Sequence, residues 1–121
     1  MELNELNGDE RLGLVALLEM VVASDGDVSR DELAHIKRVI HGLGEDAYRA
    51  AVAEADSRFP TDEAARAFLT TLDRGEAREL IYETALEAAM AQAISGREAE
   101  LFTWLAEQWH LPVRFADPAT S

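Results

Sequence analysis

Cysteine is absent from this 121-residue chain, so disulfides and thiolate metal sites are excluded, and a reducing compartment suits it. Proline is nearly absent too: only Pro60, Pro112 and Pro118 interrupt the backbone, which leaves long stretches free to be helical. Basic residues are scarce, with 11 Lys and Arg against 24 Asp and Glu, a formal net charge of −13. Such a surface repels phosphate backbones and argues against nucleic acid as a partner. It is repelled by an anionic leaflet as well, so peripheral membrane contact stays open only where cations intervene. Divalent metals and basic proteins are what it attracts, although the same charge also serves solubility alone. A long apolar run is missing. The longest, Leu14 to Ala23, is broken by Glu19 and falls short of the about 20 residues that span a bilayer, so no transmembrane segment is expected. The opening Met1-Glu2-Leu3-Asn4-Glu5 is acidic where a secretory leader would be basic, and a cytoplasmic protein is the expectation.

What is present is helix-forming. The 48% hydrophobic content suits one domain over residues 1–121, with a core at about 8–110 and a loose tail at 112–121. Ala and Leu abound and no segment alternates with period two, which predicts an all-α fold: a compact bundle of about six helices. Capping boxes mark the starts, where a short polar side chain and an acid three residues on exchange backbone hydrogen bonds. Asn7 with Glu10 opens a helix at about 8–24, Ser29 with Glu32 one at 30–42, Asp73 with Glu76 one at 74–93, and Ser95 with Glu98 one at 96–109. Two more fall at about 45–58 and at 62–72, the latter capped by Thr61. Gly26, Gly42 with Gly44, Pro60 and Pro112 supply stops. Apolar stripes agree: Leu14, Leu17, Leu18, Val21 and Val22 on the first helix, Leu33, Ile36, Ile40 and Leu43 on the second, Leu101, Phe102, Leu105 and Trp109 on the last. An alanine-rich face, Ala85, Ala88, Ala89, Ala91 and Ala93, is expected near the centre of the bundle.

The chain repeats at an offset of 66 residues: Val28-Ser29 with Glu32 aligns with Ile94-Ser95 and Glu98, Ile36 with Phe102, Val39 with Leu105, and Leu43 with Trp109. Leu14 and Met20 align upstream with Leu80 and Leu86, so two pseudo-repeated helical hairpins are expected to pack about a two-fold axis. They differ at the turn, Asp25-Gly26-Asp27 in one and Ala91-Gln92-Ala93 in the other.

That acidic turn is the candidate site. Asp25, Asp27, Asp31 and Glu32 are hard oxygen donors of the kind that suit calcium or magnesium, and Gly26 allows a sharp bend. Glu19, Glu87 and Glu98 are further carboxylates that could complete a site. An EF-hand is ruled out, because its glycine position holds Arg30 and its bidentate glutamate position holds Ile36. A purely structural reading also fits: Ser29 and Glu32 make a capping box, Asp31 favours a helix N-terminus, and Asp-Gly is an ordinary turn.

The same residues resemble the acidic signature of TerB-like domains, an Asp-Gly turn, an aliphatic residue, and a Glu seven positions after the Asp: Asp25, Gly26, Val28 and Glu32. The resemblance covers roughly residues 10–110, and the family's related second hairpin matches the repeat. It implies a helical bundle that binds divalent metal at acidic clusters, works in tellurite-resistance and stress-response systems, and has no enzymatic activity. Ala91 and Ala93 depart from the pattern, where acids often stand.

Nothing else in the sequence points to catalysis. His35, His41 and His110 lack metal-ligand spacing, and there is no phosphate loop or nucleophile elbow. No organic cofactor is implied. Trp109 fits the core stripe, and Trp104 is either core or part of a partner surface. Two functions follow: a cation-responsive adaptor for an unidentified protein partner, or a metal-independent interaction module whose metal site has decayed. Homo-oligomerisation is left open by both.

Overall fold

The computed structural model of the chain describes residues 2–25, 30–90 and 96–111, with the side chains of residues 23–25, 31 and 32 outside the description. A 3-10 turn at Leu3–Glu5 precedes six α-helices among the described residues: α1 (Gly8–Asp25), α2 (Arg30–Leu43), α3 (Glu45–Arg58), α4 (Asp62–Leu69), α5 (Gly75–Met90) and α6 (Gly96–Trp109). The described residues contain no strand, and the fold is an all-α compact bundle.

Two caps form as the sequence predicts. The Glu10 N–H donates to Asn7 Oδ1 at 2.8 Å and the Asn7 N–H to Glu10 Oε1 at 2.9 Å, the reciprocal box that starts α1. The Ala64 N–H donates to Thr61 Oγ1 at 3.2 Å and starts α4. At α5 the outcome differs: the Arg78 N–H donates to the Arg74 carbonyl at 3.0 Å, so Arg74 holds the capping position that Asp73 was expected to fill. Ser29 and Ser95, expected to cap α2 and α6, lie outside the described residues.

Helix ends show which stop signals acted. Gly42 is still inside α2, and its missing side chain admits Leu3: a Cβ there would lie 2.7 Å from Leu3 Cδ1. Gly44, at φ 96°, is the residue that turns the chain from α2 into α3. α4 stops at Leu69, short of the expected end, because the Thr70 and Thr71 hydroxyls donate to the carbonyls of Ala67 and Phe68 at 2.7 and 2.6 Å and compete with the helical pattern. α6 ends on His110 at φ 57°, where the Leu111 N–H donates back to the Ala106 carbonyl at 2.9 Å. This is a Schellman-type close, with histidine in the left-handed position usually given to glycine. Pro112 and the tail to residue 121 lie outside the described residues.

α1 is the hub, packed against α3, α4, α5 and α6. It is buried all round from Leu12 to Leu18 and not along a single stripe, because a helix enclosed by four others has no solvent face there. α5 shares the interior through Ile81 and Tyr82 and through Ala77, Ala85, Ala88 and Ala89, whose small side chains let neighbouring helices approach. Ala91 and Ala93 lie outside the described residues, as do both hairpin turns, 26–29 and 91–95. On α2 the stripe is rotated from expectation: Val39 and Leu43 are buried, whereas Leu33 is 45% exposed. The α6 stripe is buried throughout, with Tyr82 meeting Phe102 edge-on at 5.6 Å and Trp109 Nε1 donating to the Leu69 carbonyl at 3.0 Å. Trp104 is half-buried, packed on the core beneath the Arg66 guanidinium at 4.9 Å. No helix among the described residues is long and apolar enough to cross a membrane.

Candidate functional site

The backbone of the acidic segment runs from the last residue of α1, Asp25, to the first turn of α2, which holds Asp31 and Glu32. Asp27 lies outside the described residues, and so do the side chains of Asp25, Asp31 and Glu32. The three carboxylates that could have completed a site are separated by the fold. Glu19 faces α3, Glu87 is exposed on α5 beside His35 and Arg38 of α2, and Glu98 is buried at the start of α6. Among the described residues no three His, Cys, Asp or Glu side chains gather as a metal cluster would require.

Glu19 carries a more unusual environment. It sits on the hub helix, half-buried, with Asp56 of α3 within hydrogen-bonding reach of its carboxyl. Its Oε1 is buried, and among the described residues it receives no hydrogen bond. Two ionised carboxylates offer each other only acceptors, so the pair is satisfied when one O–H donates to the other's oxygen. Burial first, then the hydrogen bond and charge of Asp56, raise the Glu19 carboxyl to about 7. Asp56 is the exposed member of the two. On one side lies a cavity of about 200 Å³ lined by Ala16, Met20, Ala55, Phe59 and Asp62, and on the other one of about 260 Å³ lined by Leu18, Val22, Ile36 and Tyr48. Burial, then the Glu19 charge, also raises the Tyr48 hydroxyl.

Glu10, earlier on the same helix, is the opposite case. It is 3% exposed, yet every part of its carboxylate meets a donor. Arg74 Nη2 donates to Oε1 at 2.6 Å and Arg74 Nε to Oε2 at 3.0 Å, and the same guanidinium reaches the Glu5 carbonyl at 3.0 Å. Burial alone would push this acid up. The Arg74 hydrogen bonds, the Asn7 N–H and the Arg74 charge together outweigh it and hold the carboxyl below its ordinary value. A second ion pair, Arg66 to Glu100, is bidentate at 3.2 and 2.7 Å and ties α4 to α6 at the surface.

Neither partner of these glutamates is evident from sequence. The box motif identifies Glu10 but not Arg74, which comes from a distant segment. For Glu19 the available signal is a lone charge breaking an apolar run, and it names no partner. Comparison with protein-family models, curated proteins and solved structures finds no match to this chain.

Proposed function

We propose that the chain is a non-enzymatic, TerB-like acidic domain that binds calcium or magnesium at the connection between α1 and α2. In this reading the cation governs engagement of a protein partner in a cytoplasmic tellurite-resistance or stress response. One observation carries it: Asp25, Asp27, Asp31 and Glu32 concentrate four hard oxygen donors between the end of one helix and the first turn of the next. A cation there would bridge the helix ends and relieve repulsion on a chain of net charge −13. Melting followed during calcium and magnesium titration tests the idea, since a ligand that binds only the folded state raises Tm with concentration. A rise in wild type, lost in Asp25→Asn/Asp27→Asn, is expected. No rise at millimolar cation removes the metal from the account.

The second reading, a metal-independent interaction module, is favoured by Ala91-Gln92-Ala93 in the second copy of the repeat, where carboxylates are missing. Partner capture indifferent to chelator would select it. Capture abolished by chelator would select the first.

A further inference from the structure

We propose that Glu19 and Asp56 form a proton-operated latch between α1 and α3, closed when the two carboxyls share one proton and released when that proton leaves. The geometry supporting this is independent of the acidic turn. Glu19 Oε1 is buried, no donor reaches it among the described residues, and the Asp56 carboxyl lines the same cavity. The surrounding surface is largely apolar: Leu12, Ala16, Ala55 and Ala65 form a buried cluster between α1, α3 and α4, with Met20, Phe59 and Phe68 packed on it. An ionised Glu19 must recruit water, and the two flanking cavities are where water can enter.

Among the described residues, the titratable groups facing Glu19 are Asp56 and Tyr48 from α3, with Asp62 at the start of α4 lining the same cavity. From α2 the facing side chain is Ile36, which is apolar. Among the described residues no cation meets Glu19 from these elements, so its charge is not compensated as that of Glu10 is.

The direction of the pH effect follows. The folded chain keeps the Glu19 proton up to about 7, whereas the unfolded chain releases it near the ordinary 4.5. More protons are bound by the folded state throughout that window, so stability falls as pH rises through it. The contribution is complete below the unfolded value and spent above the folded one.

Thermal melting of the full chain at pH 6 and pH 8 is the test, with three variants. Wild type should lose about 5 °C in Tm over this interval. Glu19→Gln donates an N–H to Asp56 at any pH, and Asp56→Asn donates one to Glu19. Glu19→Gln should flatten the slope and Asp56→Asn should reduce it, since burial still acts on Glu19 there; each suffices if the other fails to fold. Glu63→Gln, at an exposed position on α4, removes one charge without touching the pair and should keep the wild-type slope. The latch is overturned if Glu19→Gln and Asp56→Asn retain the full slope, or if Glu63→Gln abolishes it equally.

Discussion

Glu10 and Glu19 are the same residue type on the same helix, and the fold drives them in opposite directions. Glu10 is the more deeply buried, yet it holds its charge more firmly than an exposed carboxylate. Glu19 is only half-buried and keeps its proton to about neutral pH. Depth alone therefore does not set the charge state. What decides is what faces the carboxyl: a forked guanidinium and a backbone N–H at Glu10, a second acid at Glu19. The first is a structural clamp joining α1 to the start of α5 and the N-terminal turn. The second is a joint between α1 and α3 whose strength depends on a proton.

The largest expected effect comes from deleting the clamp. Glu10→Ala removes the capping acid and leaves Arg74 with only the Glu5 carbonyl, at a cost of about 2 kcal/mol at pH 7. Glu19→Ala at pH 8 should cost less than about 1 kcal/mol, because the lost packing is offset by removal of an ionised carboxylate that lacks a donor. Urea unfolding of both variants measures the gap, and equal losses would dissolve the distinction. Acid should narrow the gap from the Glu10 side. A carboxyl lowered in the fold adds stability that is present above the unfolded value of 4.5 and lost as pH falls through the folded one. The Glu10→Ala penalty should therefore shrink between pH 5 and pH 3, and a penalty unchanged by acid would contradict the assigned charge.

A smaller effect separates the two parts of the clamp. Asn7→Ala breaks one arm of the box but leaves the Arg74 bonds to Glu10, so it should cost about 1 kcal/mol, less than Glu10→Ala. The smallest is Thr61→Ala at the start of α4, an exposed cap with a single hydrogen bond, at about 0.5 kcal/mol. Chemical denaturation ranks the two, and a larger loss at Thr61 would place the weight of the fold elsewhere.

These contrasts also mark what the sequence could disclose. Local signals were legible: Asn7 with Glu10, Thr61, and the α6 stripe all act within a few turns of one helix, where periodicity and capping chemistry decide. Signals that depend on distant neighbours were not. Leu33 has the spacing of a core residue, but α2 packs on α3 and α5 through Val39 and Leu43 and leaves it exposed. α1 reads as amphipathic, but four neighbours enclose it. Gly42 looks like a stop, but Leu3 occupies the space it leaves. The expected metal ligands Asp25, Asp27, Asp31 and Glu32 stay an inference from sequence, since Asp27 and the other three side chains lie outside the described residues. Asp56 gives no hint in sequence of facing Glu19, because an acid opposite an acid follows no pattern that helix-forming propensities encode.

The most direct measurement is a carbon-13 NMR titration of the glutamate side-chain carboxyls in the folded chain. Glu19 is expected to titrate near 7 and Glu10 below the ordinary 4.5, with Glu100 also lowered by its Arg66 partner. If Glu19 and Glu10 titrate together at that ordinary value, the fold does not divide its carboxylates in this way, and neither the clamp nor the joint exists as described.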